Sequence, residues 1–67
     1  MHASMKLGKK LKQYRKARGW TQQVLARKAG FSLPYIGRLE IGEHDPPLST
    51  LVKLAKALKV TVAELVE

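Results

Sequence analysis

Sixty-seven residues allow one small domain, and a chain this short buries only about 60% of the surface that its unfolded form exposes. Without cysteine, a disulfide scaffold and a thiolate metal site are both excluded, and His2 and His44 stand far apart without ligand partners, so no metal and no cofactor are expected. Thirteen Lys and Arg against five Asp and Glu give a formal charge of +8 and a pI near 10.2, which points to a polyanionic partner.

The charge is unevenly spread. Lys6, Lys9, Lys10, Lys12, Arg15, Lys16, Arg18, Arg27, Lys28 and Arg38 all precede the first acid, Glu40. From Glu40 onward three lysines face five acids, a net of −2. A surface that is merely solubilising mixes both signs, so a half this cationic favours nucleic acid or an anionic membrane face. No apolar run approaches 18 residues, so no membrane span is expected. Met1 to Met5 lack the apolar stretch of a secretory signal. Residues 1–5 read as a flexible leader, residues 6–67 as one domain, and the cytoplasm as the default compartment.

Every segment between the breakers reads helical. In the first, about Met5 to Arg18, Leu7, Leu11 and Tyr14 recur at i, i+4 and i+7. Gly19 ends it. The second runs from Thr21, an N-cap candidate, to about Ala29, with Leu25, Ala26 and Ala29 as its apolar stripe. Gly30 stops it. The third runs from its N-cap candidate Ser32 to about Ile41, with Ile36 and Leu39 inward. Pro34 falls at its second helical position, where amides lack intrahelical partners anyway. Phe31, just before that cap, is placed to pack back onto the helix. The fourth runs from about Leu48 to Lys59, with Leu48, Leu51, Ala55 and Leu58 at i, i+3, i+7 and i+10 and Leu54 beside them. Thr61-Val62-Ala63-Glu64 fits a capping box opening a short fifth helix. No stretch alternates with period two, so the chain is all-α, with one shared core and Trp20 wedged near its first turn.

The second and third helices, joined by Ala29-Gly30-Phe31-Ser32, have the layout of a helix-turn-helix. Around them stand Gly19-Trp20-Thr21-Gln22-Gln23-Val24-Leu25-Ala26, then Tyr35-Ile36-Gly37-Arg38-Leu39-Glu40-Ile41-Gly42, then Leu51-Val52-Lys53-Leu54-Ala55-Lys56-Ala57-Leu58, in that order. From about Leu7 to Leu65 the chain resembles the phage-repressor and Cro-like, or Xre, helix-turn-helix family. The resemblance implies a compact five-helix lambda-repressor-like domain that binds double-stranded DNA as a transcriptional regulator. The third helix, 32–41, becomes the recognition helix in the major groove. Leu33, Pro34 and Arg38 match the family's base-reading positions, with Ser32 and Gly37 beside them. Gln22 matches a position that holds a phosphate, and Arg15 and Glu40 match a buried ion pair between the first and third helices.

Physical chemistry agrees with these roles. The free amides of a helix N-terminus suit a phosphate, and Gln22 adds a donor there. Arg38 can donate two bonds to guanine O6 and N7. Leu33 and Pro34 depart from the family's usual polar residues: either they pack against a thymine C5-methyl, or Pro34 only fixes the start of the helix. Gly37 costs about 1 kcal/mol against alanine within a helix. It either lets the backbone approach DNA or clears space for Tyr35 or Arg38. Tyr35 either reaches a phosphate or is half-buried core. Lys10, Arg18 and Thr21 are further phosphate candidates. Glu43, His44 and Asp45 stand where the family often carries Lys or Arg, so that either this loop tilts away from DNA or Asp45 caps the fourth helix.

Members of this size bind as homodimers on two half-sites about one helical turn apart. Val62, Leu65 and Val66 on the fifth helix are the expected dimer surface. A second reading makes the chain a protein-interaction module, such as an antitoxin or complex subunit, with an apolar patch at Val24, Val62 and Val66. A third, a cationic amphipathic segment on a membrane, fits poorly with breaks every ten to fifteen residues. No nucleophile–base pair, carboxylate pair or phosphate-cradling loop suggests an enzyme, and no small-molecule substrate is evident.

Overall fold

Glycines and hydroxyl caps set the helix boundaries. The computed structural model describes residues 3–67, and these form α1 (Ala3–Ala17), α2 (Gln22–Ala29), α3 (Leu33–Glu40), α4 (Leu48–Leu58) and α5 (Val62–Val66), with no strand among the described residues. Three starts are capped by a side chain. The Thr21 hydroxyl accepts from the Val24 amide at 3.2 Å, and the Ser32 hydroxyl accepts from the Tyr35 amide at 3.2 Å. At α5 the capping box closes in both directions: Thr61 accepts from the Glu64 amide at 3.0 Å, and the Glu64 carboxylate accepts from the Thr61 amide at 2.9 Å.

Two boundaries differ from the sequence reading. α1 begins at Ala3, so residues 3–5 form its first turn rather than a leader, and Ser4 is buried; Met1 and His2 lie outside the described residues. Nothing in the composition of that first turn advertises a cap. α4 starts at Leu48 behind Pro47, with no side-chain cap, so Asp45 does not cap it. The Pro47 carbonyl instead accepts from the amides of Thr50 and Leu51.

The ends follow the same local chemistry. Gly30 closes α2 at φ 81°, a conformation that side chains resist, and its amide returns to the Ala26 carbonyl at 2.9 Å. Lys59 closes α4 at φ 58° and is the one non-glycine residue with positive φ among the described residues.

The helices pack in a closed order, with α1 against α3 and α5, α2 against α3 and α4, and α4 against α5. Their apolar stripes meet in one core of Leu7, Leu11, Leu25, Ala26, Ala29, Ile36, Leu39, Leu54, Ala55, Leu58 and Leu65. Tyr14, Trp20, Phe31 and Tyr35 pack around it. The contact between α1 and α3 is unusually close. A Cβ added at Gly8 would lie 2.5 Å from the Glu40 carbonyl oxygen and 2.6 Å from that of Leu39. The backbone of α1 therefore rests directly on the last turn of α3. Ser4, Gly8, Leu11 and Arg15 recur every three or four residues along that buried side.

Candidate nucleic-acid interface

One buried ion pair organises the site. Arg15 on α1 donates from Nε to Glu40 Oε2 at 2.6 Å and from Nη2 to Glu40 Oε1 at 3.0 Å. Its remaining arm, Nη1, donates to the Trp20 carbonyl at 2.7 Å. The two side chains are only 8% and 2% exposed, so the fork is desolvated on both sides. An acid at a helix C-terminus faces the negative end of the helix dipole. Arg15 supplies the compensation, and each Glu40 oxygen has a partner.

Gln22 completes this hub. Its Nε2 donates to Glu40 Oε1 at 3.0 Å. A carboxylate only accepts, which fixes the amide's orientation and leaves one N–H and the carbonyl oxygen of Gln22 unused. The first residue of α2 is thereby tied to the last of α3, and both to α1. The sequence reading placed Gln22 at a phosphate and had no sign of this bond. A glutamine 18 positions from its partner carries no local signal.

The outer face of α3 is built from Leu33, Pro34, Gly37, Arg38 and Ile41, the side opposite the buried Ile36 and Leu39. Leu33 is 44% exposed and Ile41 65%. Arg38 is exposed and makes no ion pair among the described residues. The Ser32 hydroxyl accepts once as the cap and keeps its O–H free to donate. Tyr35 is half-buried, with its ring 5.3 Å from that of Phe31 and 5.8 Å from that of His44. Gly37 does not clear space for Tyr35: apart from its two chain neighbours, a Cβ there would meet only Gln22 Oε1, at an ordinary 3.8 Å. Ile41, which the sequence pattern marks only as the helix end, joins this face.

The remaining candidates divide. Thr21 is engaged as the α2 cap. Lys10 is half-buried on α1. Arg18, expected at a phosphate, is drawn into the scaffold. Its Nε donates to the Leu58 carbonyl at 3.0 Å, at the negative end of α4, and its guanidinium lies 5.3 Å from the centre of the Trp20 ring. Lys28 approaches the same ring at 5.2 Å. Asp45 turns towards α1 and α5, lining a shallow groove with Ser4, Leu7, Pro46, Leu51 and Val66. Leu65 is fully buried and so is not a surface residue, whereas Val66 is 45% exposed and Val24 and Val62 are half-buried.

Two short helices joined across a left-handed glycine, the second with an open outer face, define a helix-turn-helix. The chain belongs to the helix-turn-helix family, whose model matches residues 11–65. It is 40% identical over 92% of its length to the immunity repressor protein of Bacillus phage phi105, of which it spans 43%. Among solved structures it is similar to the restriction-modification controller protein C.AhdI of Aeromonas hydrophila, with TM-score 0.89 and 35% identity over 92% of this chain and 94% of that one. It is also similar to SinR, a master regulator for biofilm formation solved in complex with DNA, with TM-score 0.87 and 34% identity over 91% of this chain and 98% of that one. The chain spans between 28% and 78% of the length of curated relatives that it matches.

Proposed function

We propose that this chain regulates transcription by binding duplex DNA sequence-specifically, with α3 in the major groove. The observation that carries the reading is the open outer face of α3, held to the N-terminus of α2 through Glu40 and Gln22. Arg38 projects from that face without a carboxylate partner, free to donate to guanine. Gln22 keeps one N–H for a phosphate beside the α2 amides, with Thr21 and Lys10 at the flanking backbone. The relatives named as repressors and controllers, and SinR in its complex with DNA, support the same reading.

The protein acts as a homodimer on two half-sites, with Val62 and Val66 at the contact and Leu65 left to the core. Such a role belongs in the cytoplasm and includes no catalysis. Selection of binding sites from a random duplex library at about 150 mM salt, a concentration at which phosphate contacts are partly screened, tests it. The expected product is a two-fold related motif whose guanine preference disappears with Arg38→Ala. Enrichment of no motif, with only salt-labile binding, would overturn it.

A further inference from the structure

The outer face of α3 is chemically lopsided. Of its five residues, Leu33, Pro34, Gly37 and Ile41 carry no side-chain hydrogen-bonding group, and Arg38 alone can donate. Leu33, Gly37 and Ile41 are spaced by four, so they line up along the helix, one per turn. An exposed leucine and an exposed isoleucine thus flank a glycine that has no side chain. That glycine is not required by the fold, because a Cβ would fit and the helix would gain from it. The result is a hollow with Leu33 and Ile41 at its two ends and the Gln22 amide oxygen 3.8 Å from where a Gly37 side chain would begin, about 12 Å from end to end by helical rise, close to three or four base-pair steps.

In the major groove, base edges offer donors and acceptors everywhere except at one group, the C5-methyl of a pyrimidine. We propose that this hollow reads C5-methyl groups, those of thymine or of 5-methylcytosine, beside a guanine held by Arg38. The inference rests on the DNA-binding reading above and names what that reading leaves open, the chemistry of the bases selected. Leu33 and Pro34 pack on the methyl group, Gly37 gives it room, and Ile41 extends the apolar wall towards the far end of the helix. A protein partner could also cover an apolar stripe. Duplex DNA is favoured by the charge of the chain: ten cations and no acid precede Glu40 in the sequence, and an arginine without a carboxylate partner stands beside the stripe itself.

Deoxyuridine in place of thymidine removes the methyl and leaves every hydrogen bond. In the duplex recovered by site selection, each thymine is replaced in turn by uracil, and each cytosine in turn by 5-methylcytosine. One or two positions per half-site are expected to lose about three- to tenfold in affinity on methyl removal, or to gain as much on methylation, the size of burying one methyl. Leu33→Ala, an exposed position that leaves the core untouched, is expected to reduce that difference to under about twofold. Gly37→Ala is expected to lose more affinity for the methyl-bearing duplex than for the uracil form, because its new methyl competes for the same space. Affinity indifferent to every methyl overturns the inference and leaves the DNA reading standing. A methyl effect that persists in Leu33→Ala overturns it as well, as does a bound protein lost in Leu33→Ala with duplex affinity unaltered. Failure to enrich any duplex removes both readings together.

Discussion

Gly8 and Gly37 both lie within helices, and alanine is expected to act oppositely at the two. At Gly8 the new Cβ would stand 2.5 Å from a backbone carbonyl, which cannot swing aside as a side chain can. Gly8→Ala should cost about 1–3 kcal/mol through displacement of α1 from α3, as overpacking does. At Gly37 the space is open, so Gly37→Ala should add up to about 1 kcal/mol and raise the melting temperature by about 4–8 °C. Thermal melts of the two variants check both signs. Glu40→Ala leaves the Arg15 guanidinium buried without its partner, at a cost of about 3–5 kcal/mol. Gln22→Ala removes one hydrogen bond, about 1 kcal/mol. Urea titrations should rank them in that order, and equal losses would contradict the hub as described. Glu40 stood out in the sequence as an acid inside a cationic half, and the family resemblance implied Arg15 as its partner. Gln22 did not, since nothing near a glutamine in sequence announces a carboxylate from the next helix. Gly8 leaves a trace in the sequence: with Ser4, it puts two small residues one turn apart on the buried side of α1.

At the scale of the helix, legibility follows locality. Thr21, Ser32 and Thr61 cap what they were expected to cap, because a cap and its amide lie within one turn. The onset of α1 was missed because its first turn offers no such signal. The fate of Arg18 was missed because its partner, the Leu58 carbonyl, lies 40 residues away. Two substitutions test the ends. Lys59 holds a left-handed conformation that costs an ordinary side chain about 1–2 kcal/mol, so Lys59→Gly should stabilise the domain, by less than that because glycine also loosens the unfolded chain. Thr61→Ala removes the hydroxyl that accepts from the Glu64 amide, leaves the Thr61 amide still able to donate to the Glu64 carboxylate, and should cost about 0.5–2 kcal/mol. α5 has five residues, so Leu65 in the core is what then keeps it docked. Hydrogen exchange confined to residues 61–67 would show α5 fraying alone, and protection lost throughout would show that α5 holds the whole core closed.

Across the whole molecule, the cationic N-terminal part and the mildly acidic remainder predict strong salt dependence. Each phosphate neutralised steepens the fall of log affinity with log salt by about 0.9. If Lys10 meets a phosphate, Lys10→Ala reduces that slope by about one unit on every duplex sequence, whereas Arg38→Ala changes the preferred sequence. An unchanged slope makes Lys10 a solvated cation. The sequence alone located the cationic half and the fold. The apolar character of the outer face of α3 was legible at Leu33 and Pro34, but Ile41 was hidden, since only the packed helix shows which way an aliphatic residue faces.

Trp20 is the only tryptophan in the chain. Its carbonyl accepts from Arg15, and the cations of Arg18 and Lys28 stand 5.3 and 5.2 Å from the centre of its half-buried ring. The molecule therefore carries its own optical probe, placed at the junction of α1 and α2. Release of Arg15 from Glu40 frees the main chain beneath the indole, and loosening of α4 withdraws the anchor of Arg18. Emission from one chromophore then follows both events without any label. A shift in its spectrum before the far-ultraviolet signal changes would reveal the hub opening while the helices are still intact.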